Sequence, residues 1–334
     1  MAIKIARRKF IAALGGTAFA WPLAARAQQA DRMRRVGVLN TYAESDAEGQ
    51  SRAAALQQGL EKRGWTIGRD VRIDYRWGID NVERTQAAIA ELLALSPDVI
   101  LAGAGSRTMV ALQRATRIVP IVFIMIYEPV AQGFVQSLAH PGGNTTGFTM
   151  VEATVGAKWL GLLKQIAPHL ARVAFMFHPS NPGPMQSYRS VEAAAPNNGV
   201  EAVKTPVHGP AEIEAAMTIL GREPGGGLIV PPDAFLSEYR KLIIDLAARY
   251  RLPAIYGLSS FAAQGGLAAY GINVPEQIRQ AAEYVDRILR GEKAGDLPVQ
   301  QPTRYELVIN LKTATALGLE VPPSLLATAD EVIE

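Results

Sequence analysis

The loop Gly103-Ala104-Gly105-Ser106 is the run in this chain best suited to hold an anion. Its residues are small, so backbone N–H groups can approach a carboxylate where the next helix begins, and the helix dipole favours negative charge there. One such charge-assisted hydrogen bond is worth roughly 1.5 to 3 kcal/mol. The competing reading is a tight βα turn with no ligand. Tyr127 and Glu128 precede Pro129 and set a carboxylate beside a ring, an arrangement that suits an ammonium group. Glu128 would otherwise serve as an acid at a helix start. Further along, Asn181 and Asp233 offer polar handles, and Phe235 and Tyr256 offer ring faces. Tyr42 and Ser45, in the stretch Asn40 to Ser45, and Tyr270, in the run AAYG, complete the candidate ligand-binding set.

Other chemistries lack their residues. His140, His169, His178 and His208 show no metal-ligand spacing such as HExxH, and the chain has no cysteine, which removes thiolate sites and disulfides. Neither a GxSxG elbow nor a GxxxxGK phosphate loop occurs. No catalytic residue, metal or cofactor is therefore expected.

The elements that must position the candidate residues alternate in type. VGVLN (36–40), DVILAG (98–103) and PIVFIMI (120–126) are continuous apolar runs, as expected of strands buried on both faces, and VRIDYRW (71–77) alternates. Helical segments are expected at about 48–62, 82–95 and 107–117. The same order recurs with strands at 172–177, 200–207, 227–232 and 253–257 and helices at 185–198, 212–220 and 237–250. Two successive blocks of this kind imply an α/β protein of two Rossmann-like lobes with parallel sheets. The glycine-rich HPGGNTTGF (140–148) would begin the crossing between them, with 145–150 carrying the chain across. A helix from Pro275 to Arg290 and a strand-helix pair after it are surplus to two blocks, and imply further crossings that make a multi-strand hinge. The expected lobes are 32–148 plus about 268–293, and 149–267 plus about 294–334.

The first residues set the compartment. Lys4, Arg7, Arg8 and Lys9 form a positive n-region, FIAALGGTAFAW is apolar but shorter than the roughly 20 residues a spanning helix needs, and Ala25 and Ala27 fit a signal-peptidase site. Residues 1–27 are thus expected to be an export signal of the twin-arginine kind, cleaved after Ala27 to leave the protein in the periplasm. An ordinary secretory signal containing two arginines is the alternative. Removal takes five of the 34 basic residues and none of the 31 acidic ones, so a formal charge of +3 becomes about −2. Nucleic acid is therefore not an expected partner.

Three runs resemble a known family: PIVFIMIYEPVAQGFVQSLAHPGGNTTGFT, ARVAFMFHPSNP and DLPVQQPTRYELVINLKTATALGLEVPPSLLATADEVIE. They are similar to the solute-binding components of ABC import systems, in the branch related to tryptophan- and tyrosine-binding proteins, and the likeness extends from about Arg35 to Glu334. The resemblance implies a type I periplasmic-binding-protein fold, a monomer that traps a small molecule between two lobes, and a permease partner in the inner membrane. It implies delivery of cargo without chemistry, and favours aromatic amino acids or related aromatic acids. Branched-chain amino acids and other carboxylates fit the same loops. Glu128-Pro129 stands where the family usually has Asp-Pro, and GAGSR where it often has Gly-Thr or Gly-Ser-Pro, which bears on the cargo and not on the architecture. A periplasmic receptor working with a membrane sensor, and a secreted α/β enzyme, are the competing functions.

Overall fold

The computed structural model describes residues 32–79, 81–150, 152, 154–222 and 224–334. The expected signal segment, residues 1–27, lies outside the described residues.

The first lobe is built on strands β1 (Arg34–Asn40), β2 (Val71–Arg76), β3 (Val99–Gly103), β4 (Ile121–Ile126) and β5 (Thr145–Thr149). They form a sheet of order β2-β1-β3-β4-β5, parallel throughout. Between them run helices α1 (Ala47–Glu61), α2 (Val82–Ala94) and α3 (Gly105–Ala115). Alternation along each strand divides its side chains between two apolar faces. Leu39, Ile100 and Phe123 pack with Leu92, Met109 and Leu112 on one face. Val38, Leu101 and Ile124 pack with Leu56 and Leu60 on the other, together with Ile278 and Val285 from a late helix, α10 (Val274–Leu289). The α1–α10 crossing is close enough that a Cβ on Gly59 would lie 2.6 Å from the Ala282 Cβ.

The second lobe contains β6 (Arg172–Phe177), β7 (Glu201–Pro206), β8 (Gly226–Val230), β9 (Ala254–Tyr256), β10 (Ala268–Gly271), β11 (Glu306–Asn310) and β12 (Glu331–Ile333). Their order is β12-β11-β10-β9-β8-β6-β7, parallel except for the antiparallel β10–β11 pair. Helices α4 (Val155–Ile166) and α5 (Met185–Ala194) cover one face, where Trp159, Leu163 and Val191 meet Phe175, Ile229 and Ile255. Helices α6 (Pro210–Gly221) and α8 (Arg240–Arg249) cover the other, where Ile213, Met217 and Ile243 meet Met176, Leu228 and Val230. The helix expected at 237–250 is divided: a short α7 (Ala234–Glu238) ends at Tyr239 before α8 begins. Short helices α9 (Ser259–Ala263), α11 (Leu311–Leu317) and α12 (Pro323–Leu326) complete the lobe.

Three boundaries differ from expectation. Thr145–Thr149 is not a crossing extension but a fully buried edge strand of the first sheet, paired with β4. Residues 268–271 belong to the second sheet and not to the first lobe, because β10 pairs with β9 and β11; the chain leaves for α10 only after Gly271. Residues 294–300 stay with the first lobe, since the Thr146 hydroxyl donates to Leu297 O at 2.6 Å, and Thr149 N to Gln300 O at 2.9 Å. The three crossings therefore follow β5, follow β10 and precede β11. At this hinge Tyr270 stacks on Tyr305 with ring centroids 5.5 Å apart, and Trp159 Nε1 donates to Tyr270 O at 2.6 Å.

Candidate ligand-binding site

The carboxyl ends of both sheets face one cleft, and in it lies a cavity of about 60 Å³. Thr41, Tyr42, Arg52, Gly105, Ser106 and Tyr127 line it from the first lobe, with Met125 and Met150; Asn181, Pro232, Asp233, Ser237 and Leu258 line it from the second. It opens past Thr41, Tyr42 and Ala234 into a wider groove of about 490 Å³ along α3.

Each wall is held by local chemistry. Asn40 Oδ1 accepts from Tyr42 N at 3.1 Å and folds the loop after β1 inward. The Arg52 guanidinium lies 4.6 Å from the Tyr42 ring centroid and donates to its hydroxyl at 3.3 Å. Arg52 is 6% exposed, and its Nε donates to Glu48 one turn earlier at 2.9 Å, so one carboxylate offsets its burial while Nη1 and the second N–H of Nη2 stay available. Beside it, α3 starts without a side-chain cap, with Gly105 at φ +81°, in the left-handed region glycine adopts freely. Its first amides are thus open to an anion in the cavity.

Met125 sits where the β4–β5 register shifts, at φ +56°. A non-glycine residue there costs on the order of 1–3 kcal/mol unless its surroundings hold it. Gln277 of α10 does so: its Oε1 accepts from Met125 N at 3.2 Å and its Nε2 donates to Thr149 O at 2.8 Å. One side chain thereby fixes the strand ends that present Met125 and Met150 as apolar lining.

Tyr127 joins the lobes. Its hydroxyl donates to Pro232 O at 2.9 Å, and its ring lies so close to Gly183 that a Cβ there would stand 2.5 Å from Tyr127 Cδ2. Burial pushes the Tyr127 phenol well up, with the Asp233 charge adding, so it remains a neutral donor. Asp233 is 5% exposed; it caps α7 by accepting from Leu236 N at 3.1 Å and accepts from the Asn181 amide. Among the described residues no cationic side chain pairs with it. At the mouth Asp46 and Arg240 form an ion pair between lobes, and Arg240 also donates to Ser237 O and Gln264 Oε1, each at 3.0 Å. Burial raises the Asp46 carboxyl, but the Arg240 hydrogen bond and the amides of Gly49 and Glu48 outweigh it and leave it below its ordinary value.

Of the residues expected from sequence, Tyr42, Gly105, Ser106, Tyr127, Asn181 and Asp233 line the cavity, and Phe235 lines the outer groove. In the groove Phe235 packs against the rings of His178 and Tyr239 at 4.5 and 4.9 Å. Four residues are placed elsewhere. Ser45 is exposed on the loop before α1. Glu128 is exposed because the chain turns at it with φ +42°, its carbonyl accepting from Gln132 N at 3.0 Å; it is not the ammonium partner expected. Tyr256 is fully buried within the second lobe, stacked 4.7 Å from Phe261. Tyr270 belongs to the hinge stack. Sequence reasoning missed Arg52, the two methionines and the Asp46–Arg240 pair. Arg52 carried a signal, a cation on the helix face whose other members, Ala55, Leu56 and Gly59, are small or apolar; Arg240 carried none.

A family described as ABC transporter substrate binding protein matches residues 38–333. The chain belongs to that family. This substrate-binding protein is 25% identical over 267 residues to a tyrosine-binding protein of Clostridioides difficile (strain R20291), covering 79% of this chain and 75% of that one. It is similar to a solved ABC domain in complex with L-Trp from Streptococcus pneumoniae, with TM-score 0.81 and 22% identity over 90% of this chain and all of the other. A ligand-free, open substrate binding protein with adhesive properties from Clostridium difficile gives TM-score 0.66 and 24% identity over 90% of this chain and 99% of that one. The fold of the substrate-binding protein is that of type I periplasmic binding proteins.

Proposed function

We propose that this substrate-binding protein is the periplasmic receptor of an ABC import system and that its cargo is an aromatic α-amino acid. The observation that carries the reading is the opposition of charge across one cavity. Arg52 and the uncapped amides of α3 face it from the first lobe, and Asp233, buried without a cationic partner among the described residues, faces it from the second. A buried carboxylate left unpaired is costly, and a ligand ammonium would complete it. A zwitterion spanning the cleft satisfies both walls only when the lobes are together, which is how such a ligand drives closure. Met125, Met150, Pro232 and Leu258 supply apolar lining around the amino-acid end of the ligand, and Tyr42 and Phe235 supply ring faces for its side chain where the cavity opens into the groove. The tyrosine-binding relative and the L-Trp complex support the aromatic class.

The closed face would then engage a permease, which receives the cargo unchanged. Export rests on Arg7-Arg8, the short apolar run and Ala25-Arg26-Ala27. The binding reading is tested by thermal shift with the twenty amino acids, since binding only to the native state raises stability by RT ln(1 + [L]/Kd). The largest shifts are expected for tyrosine, tryptophan and phenylalanine; no shift with any amino acid would reject the cargo. For export, Arg7→Lys with Arg8→Lys is expected to hold the precursor in the cytoplasm, and normal secretion would reject the twin-arginine route.

A further inference from the structure

The outer groove is more than the mouth of the cavity. It is far larger, about 490 against 60 Å³, and continues from the cavity past Thr41, Tyr42 and Ala234. One wall is the side of α3 that carries Arg107, Ala111 and Arg114. At about 1.5 Å per residue the two arginines stand roughly 10 Å apart along one face, with Arg107 in the helix's first turn beside the uncapped amides. Both are exposed, and neither forms an ion pair among the described residues. Among the described residues the acidic groups of the groove are Asp46 and Glu238. Asp46 is neutralised by Arg240, and Glu238 also has an interaction of its own. Among the described residues the charge left over is positive.

A ligand whose α-carboxylate sits at the start of α3 and whose ammonium meets Asp233 has its side chain directed out along this wall, past Tyr42 and Phe235. We propose that the groove is a second subsite for an anionic group, so that the preferred cargo is an α-amino acid whose aromatic side chain ends in a carboxylate or phosphate. The proposal rests on the amino-acid reading of the inner cavity. It assigns Arg107 and Arg114 as residues that set specificity beyond that cavity, through a charge that a plain aromatic side chain does not offer.

Calorimetric titration of the full-length chain with L-tyrosine, O-phospho-L-tyrosine and 4-carboxy-L-phenylalanine tests it. At least one anionic probe is expected to bind tenfold or more tighter than L-tyrosine at low salt, with the ratio shrinking as ionic strength rises; which probe wins identifies the group. Arg107→Gln with Arg114→Gln should bring that ratio to within twofold of one, and each single substitution should lower it in part. Tyrosine binding as tightly as both anionic probes, or a ratio that survives in the double variant, overturns the subsite alone. Binding of none of the three overturns the inner-cavity reading and the subsite with it.

Discussion

Asp46→Asn separates closure of the lobes from folding of the chain. The Asp46 carboxylate has two tasks: Oδ1 caps α1 by accepting from Glu48 N and Gly49 N at 2.9 and 3.2 Å, and Oδ2 meets Arg240 of the other lobe. Asparagine keeps the cap, since it is as good an N-cap as aspartate, but loses the charge. The side chains of the pair are 19% and 14% exposed, so its worth lies between that of an exposed ion pair and a buried charge-assisted hydrogen bond, about 1–2 kcal/mol. Because the pair exists only when the lobes touch, that energy appears in ligand affinity, as a roughly 5- to 30-fold weaker Kd. Calorimetry with L-tyrosine on Asp46→Asn, Arg240→Gln and the double variant reads it as a coupling energy. Melting of the ligand-free chain should barely change for Asp46→Asn, whereas Asp46→Ala should lose about 1 kcal/mol more through the cap. A coupling below about 0.3 kcal/mol, within the usual error of additivity, would refute the latch.

Other expectations follow from the same contacts. Gly183→Ala should weaken ligand binding by about tenfold or more, because its Cβ would enter the Tyr127 ring across the cleft; overpacking of this kind costs roughly 1–3 kcal/mol. Unchanged affinity by calorimetry would show that the two residues are not pressed together in the bound state. Gly59→Ala should lower the melting temperature by about 2 °C or more, since the clash with Ala282 exceeds the gain in helix propensity of about 1 kcal/mol; a rise in calorimetric melting would contradict the close α1–α10 crossing. For pH, the Asp46 carboxyl is held below its ordinary value of 3.8, so its contribution to closure is complete above that value and is lost as pH falls through the lowered one. The affinity difference between wild type and Asp46→Asn should therefore be constant from pH 7 to 5 and shrink below about 4; a difference that shrinks already near neutrality would point to another group.

The strands were legible because they are buried on both faces, so VGVLN and VILAG read as continuous apolar runs without reference to partners. The helix from Pro275 was legible as a return to the first lobe because it is surplus to two complete α/β blocks. The points of crossing were not. Whether Ala268–Gly271 pairs with β9 or leaves the sheet depends on β11, nearly forty residues later, and the local sequence does not carry that information. Within the site, Gly105 and Ser106 followed from the rule that ligands collect at the carboxyl ends of parallel strands. Glu128 failed because a positive φ at a non-glycine residue leaves no mark in sequence and turns the side chain out. Arg52 went unseen because a charged residue within a helix ordinarily faces water; here Glu48 and the Tyr42 ring permit its burial.

The central claim is that the cleft recognises both ends of an α-amino acid, the carboxylate at Arg52 and α3 and the ammonium at Asp233. The most direct measurement is calorimetric titration of the wild-type chain with L-tyrosine, tyramine and 3-(4-hydroxyphenyl)propionate, which share a ring but lack neither end, the carboxylate and the ammonium respectively. Each truncated compound forgoes charge-assisted hydrogen bonds and leaves a buried group unpaired, a loss of about 2–4 kcal/mol that corresponds to 30-fold weaker binding or more. Tyrosine binding with both analogues weakened to that degree is the predicted result. Either analogue binding as tightly as tyrosine would contradict it.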